Sequence, residues 1–82
     1  MNLVLDFGNT KIKAAVFSDS NEVIELFTWD NYSNNNINEI KSKYLIDNVL
    51  LCSVVEVSEE IEAYLKNNFS YYLSSFPNTI TT

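Results

Sequence analysis

The chain contains one glycine, Gly8, in 82 residues. Average usage of about 7% would give roughly six. A chain this sparing has placed its only glycine between an apolar run, Leu3-Val4-Leu5-Asp6, and a polar tetrad, Asn9-Thr10-Lys11 with Lys13 beyond. That position predicts a tight turn whose backbone needs the residue. The twelve asparagines carry less information, because base composition and loop preference account for them.

Around this turn the hydrophobic pattern sets the elements. Leu3-Val4-Leu5 is apolar on both faces and reads as a buried strand ending at Asp6. From Lys11 to Ser18 the chain alternates, with Ile12, Ala14 and Val16 on one face and Lys11, Lys13, Ala15 and Phe17 on the other. Asp19-Ser20-Asn21 forms a second turn. Glu22 to Trp29 alternates again, Val23, Glu25, Phe27 and Trp29 against Ile24, Leu26 and Thr28. Three strands on short turns predict an antiparallel meander.

The period then changes to three and four. Ile37, Ile40 and Tyr44 mark an amphipathic helix within Tyr32 to Tyr44, with Ser33 as its N-cap. Val49-Leu50-Leu51-Cys52-Ser53-Val54 is nearly continuous in apolar character, which predicts a strand covered on both faces and parallel to its neighbour. On this reading Cys52 is a small core hydrophobe. Ser58 caps a second helix, with Glu59, Glu60 and Glu62 in its first turns, Ile61, Tyr64 and Leu65 as its stripe and Lys66 near its end. Tyr71-Tyr72-Leu73 predicts a last strand, followed by Pro77 and a polar tail. The fold class is α/β, in the order β-β-β-α-β-α with a further β, giving a mixed sheet with helices packed on it.

Composition narrows the chemistry. A net charge of -6 argues against nonspecific nucleic-acid or anionic-membrane binding. With no histidine and one cysteine, a His-based triad is excluded and a zinc site nearly so. A hydrophobic fraction of 46% supports a packed core. No stretch approaches a membrane span, and the opening lacks the basic region of a signal peptide, so a cytoplasmic protein is expected.

Asp6-Phe7-Gly8-Asn9-Thr10-Lys11-Ile12-Lys13 is the segment that carries chemistry. Successive turn amides suit a polyphosphate. Gly8 admits it to the backbone, Asn9 and Thr10 add donors, and Lys11 or Lys13 adds charge. Asp6 suits Mg²⁺, which takes oxygen ligands and keeps several waters. The same residues also describe an ordinary hairpin turn in which Asp and Asn bond their own backbone. Asp6-Phe7-Gly8 is not the protein-kinase metal triplet, because the upstream elements of that fold have no room in five residues. Nor does a Walker loop occur.

The opening Met1 to Lys13 resembles the N-terminus of type III pantothenate kinases, members of the superfamily of acetate and sugar kinases, Hsp70 and actin. Their first phosphate motif is a strand ending in Asp-x-Gly-Asn-Thr. Leu51-Cys52-Ser53-Val54-Val55 resembles a second strand of that family, ending in Ser-Val-Val. The resemblance implies a ribonuclease-H-like mixed sheet, the first part of an actin-like ATPase domain. It implies that Asp6, Phe7, Gly8, Asn9, Thr10, Lys11, Ile12 and Lys13 form the ATP-binding segment, with Asp6 at the Mg²⁺ or another divalent cation. It further implies phosphoryl transfer from ATP to pantothenate in coenzyme A biosynthesis, a monovalent cation such as K⁺ or NH₄⁺, and a homodimer.

Phe7, Cys52 and Glu56 depart from the family's usual residues without removing a phosphate ligand. The family's Gly-Ala-Asp-Arg segment, its catalytic base and its second domain are absent from residues 1–82. The expectation is therefore the N-terminal portion of such a kinase, inactive alone, with its catalytic base beyond Thr82. A non-catalytic nucleotide-binding or transcriptional accessory homologue, and a purely structural fragment that pairs its bare sheet edges, are the other readings.

Overall fold

A computed structural model describes residues 1–75. Its elements are β1 (Asn2–Phe7), β2 (Ile12–Phe17), β3 (Val23–Trp29), α1 (Asn34–Lys43), β4 (Asn48–Ser53), α2 (Glu59–Asn68) and β5 (Tyr71–Ser75). The expected element order holds, including the last strand. Pro77 and the expected polar tail lie outside the described residues.

The five strands form one sheet in the order β3-β2-β1-β4-β5. β1, β2 and β3 pair antiparallel as a meander. β4 runs parallel to β1, and β5 parallel to β4. Both parallel connections are crossovers through a helix, as parallel pairing requires. The serine caps fall where the sequence places them. Ser33 Oγ accepts from Asn35 N at 3.2 Å and Ser58 Oγ from Ile61 N at 3.3 Å. Each satisfies one amide left unpaired at a helix start.

One face of the sheet is covered by both helices. Leu3, Leu5, Phe7, Ile12, Ala14, Val16, Val49 and Leu51 from the strands meet Ile37, Ile40, Leu65 and Phe69 in one core. Glu25 also faces this side, and it is satisfied there. The Tyr44 hydroxyl donates to it, and Lys43 Nζ lies 3.2 Å from Oε1. These bonds tie the end of α1 to β3. The Tyr44 contact foremost, and the Lys43 charge after it, hold the Glu25 carboxyl below its usual range.

The opposite face departs from the expectation. The apolar run in β4 predicts cover on both sides, yet only Val49, Leu51 and Ser53 are buried. Leu50 and Cys52 are half-buried and Val54 is 60% exposed. The reason is topological, because α1 and α2 supply core residues to the same face. Cys52 is therefore not a core residue but a half-buried thiol on the open face. In register, Leu26, Ala15, Val4, Leu50 and Leu73 form an apolar row across all five strands on that side. Leu26 is 71% exposed and Leu73 50%. Among the described residues no helix is long and apolar enough to cross a membrane.

Candidate functional site

The β1–β2 hairpin closes on Gly8, Asn9, Thr10 and Lys11, with Phe7 and Ile12 as its last ladder pair. Gly8 N donates to Lys11 O at 3.0 Å. Gly8 does not adopt a positive φ. A Cβ built on it would stand 3.1 Å from that same Lys11 carbonyl oxygen. Glycine therefore relieves a close approach of the returning strand here, and its backbone is not left-handed. The one non-glycine residue with positive φ among those described is Asn21, at 67°, in the next turn. Asparagine is among the residues that tolerate it.

This bond consumes the Gly8 amide within the hairpin. Among the described residues, the amides of Asn9, Thr10 and Lys11 donate to no backbone acceptor. Asn9 and Thr10 are exposed at the tip. The turn thus offers three consecutive free backbone donors rather than four.

The side chains divide by the strand alternation. Phe7 and Ile12 point into the core, 6% and 8% exposed. The Phe7 ring packs on Tyr32 at 5.8 Å between centroids, within the core. Burial pushes the Tyr32 phenol up to about 12, and its hydroxyl donates to Asn34 Oδ1 at 2.7 Å. Asp6 and Lys13 project on the open face, directly opposite each other in the ladder. With Thr28, Leu26, Ala15 and Val4 they line a shallow hollow of about 250 Å³. Cys52 stands opposite Asp6 on the other side, in β4.

The two lysines have separate environments. Lys11 Nζ is 2.6 Å from Asp30 Oδ1. That ammonium holds the Asp30 carboxyl below its usual range. Lys13 makes no ion pair among the described residues and borders the hollow. Asp30 lies 19 positions from Lys11 and escapes a reading of the turn alone. The β2–β3 register exposes it, since Ile12 pairs with Trp29 and the next residues outward are Lys11 and Asp30.

The donor set fits a magnesium–polyphosphate. Among the described residues no three Asp, Glu, Cys or His side chains converge. Asp6 therefore stands as a single carboxylate. One carboxylate with phosphate oxygens and water is an ordinary Mg²⁺ environment. The parallel strands β1 and β4 both end at this side, Phe7 opposite Ser53. In open α/β sheets ligands gather at carboxyl ends of strands.

No family model matches the chain. A curated type III pantothenate kinase from Phocaeicola vulgatus is 33% identical to it over 66 residues, covering 80% of this chain and 27% of that kinase. The chain therefore spans about a quarter of the length of the relative it matches.

Proposed function

We propose that this chain is the N-terminal, ATP-phosphate-binding part of a type III pantothenate kinase. The observation that carries the reading is the pairing of Asp6 with Lys13 on the open face, beside a turn with three free amides. The similarity to the Phocaeicola vulgatus kinase supports it. So does the sheet order β3-β2-β1-β4-β5, which suits a ribonuclease-H-like domain.

On this reading the amides of Asn9, Thr10 and Lys11 bind phosphate oxygens. Lys13 supplies the uncommitted positive charge, Asp6 holds the divalent cation, and Phe7 and Ile12 anchor the turn in the core. Bound MgATP brings the transferable phosphoryl group. The chain's own work is positioning and charge neutralisation, which dominate phosphoryl transfer. No residue described here takes the role of base toward the pantothenate hydroxyl. On this reading that role, the monovalent-cation site, the homodimer and a cytoplasmic setting belong to the complete enzyme. A second reading, a nucleotide-binding module without transfer, follows from Asp6 standing as a lone carboxylate.

The test is a MgATP titration of the ¹⁵N-labelled chain by two-dimensional NMR. Gly8 contributes the one glycine amide peak. A saturable Gly8 shift, also produced by MgADP and lost in Asp6→Asn, supports the site. A dispersed spectrum in which Gly8 stays still overturns it. Turnover in a full-length enzyme separates kinase from binding module.

A further inference from the structure

We propose that Asp30 lowers the affinity of the turn for polyphosphate by competing for Lys11, an inference that rests on the phosphate-binding reading above. Lys11 directly follows the exposed tip Asn9-Thr10, and its own amide is one of the three free donors. Its ammonium is nevertheless committed elsewhere. At 2.6 Å the Lys11–Asp30 pair is the shortest ion pair among the described residues, the others lying at 3.2 to 3.4 Å.

The pair is also open to exchange. The side chains are 54% and 79% exposed, and exposed pairs are weak because water and salt screen them. An anion seated on the turn amides can draw Lys11 away. Two costs then oppose binding. The Lys11–Asp30 contact is lost, and an uncompensated Asp30 carboxylate remains near a polyanion. Lys13 carries no such cost, since its ladder partner is Asp6, the residue assigned to the cation. Asp30 is thus a positioning residue that acts through Lys11 and never touches phosphate. It keeps the turn from retaining polyphosphate too tightly.

The test uses the 82-residue chain, with inorganic pyrophosphate and MgATP as probes and the Gly8 amide as readout. Asp30→Asn should tighten both affinities by about two- to fivefold at low salt. Asp30→Glu should restore the wild-type value. The gain should vanish near 1 M salt, where the screening length is about 3 Å. In a Lys11→Met background Asp30→Asn should change affinity less than about twofold, because the competition has lost its object. An unchanged or weaker affinity in Asp30→Asn overturns the inference. So does an equal gain in the Lys11→Met background, which would be a general charge effect. Binding that needs Asp6 and Lys13 but ignores Asp30 overturns this inference and leaves the phosphate site standing. No binding by any well-dispersed variant overturns both.

Discussion

Asp6 and Lys13 face each other across the β1–β2 ladder, on the side of the sheet opposite α1 and α2. Their opposite charges stand beside a turn with three uncommitted amides, one residue beyond the last ladder pair. That juxtaposition lies at one end of the hairpin. It places an oxygen ligand, a cation and backbone donors within one small region.

Replacing either member should therefore affect binding more than folding. Asp6→Asn and Lys13→Met should each weaken MgATP binding by at least about tenfold, the scale of one lost charge-assisted bond. Both are exposed, so unfolding free energies should stay within about 0.5 kcal/mol of wild type. Calorimetric titration and urea unfolding measure the two quantities separately. A full loss of structure in either variant would contradict their exposed placement. If the proposed kinase reading holds, Asp6→Ala in a full-length kinase should lower turnover by orders of magnitude.

Gly8→Ala tests the close approach at the turn. The added methyl would press on the Lys11 carbonyl at 3.1 Å, a backbone atom that cannot rotate away. The expected cost is about 1–2 kcal/mol, set against the smaller gain from a less flexible unfolded chain. Urea denaturation reads it directly. A variant as stable as wild type would show that the hairpin yields freely there.

The one-sided core gives a paired prediction. Ile40 is fully buried and Leu26 is 71% exposed. Ile40→Val should cost about 0.5–1.5 kcal/mol. Leu26→Ala should stay within about 0.5 kcal/mol, although it removes more carbon. A Leu26→Ala cost above that of Ile40→Val would mean that the second face is covered in solution.

Glu25 links stability to pH. Its carboxyl titrates below the ordinary range because Tyr44 donates to it and Lys43 lies beside it. A depressed folded-state value contributes stability that is fully present above the unfolded value, about 4.3. That contribution is lost as pH falls through the lower folded value. Tyr44 and Lys43 are raised, first of all by their bonds to Glu25, so their share is present below their unfolded values and lost at alkaline pH. Unfolding curves from pH 3 to 7 should therefore fall more steeply for wild type than for Glu25→Gln. Parallel curves would remove this linkage.

Much of the local structure is legible without coordinates, and particular residues show why. Ser33 and Ser58 cap because a short oxygen side chain reaches the first amides of the helix it precedes. The alternation of Ile12, Ala14 and Val16 marks a strand face because side chains repeat every two residues. The Asp6–Lys13 segment was equally visible as a candidate. Its internal division was not. Gly8 signals a special turn, but only the position of the Lys11 carbonyl shows that crowding, rather than backbone handedness, is the reason.

The sequence by itself determined the elements, their order and the residues that can carry charge at the turn, since these follow from local periodicity and from side-chain chemistry. Only the tertiary structure decided which face was covered. Apolar residues on both sides of β1 and β4 state that burial is favourable, but the crossovers alone choose where α1 and α2 lie, and they chose one side. It likewise decided that Lys11 is held by Asp30 while Lys13 is left beside Asp6. The Lys11–Asp30 contact depends on the register between β2 and β3, which the residues of the Gly8 turn do not encode.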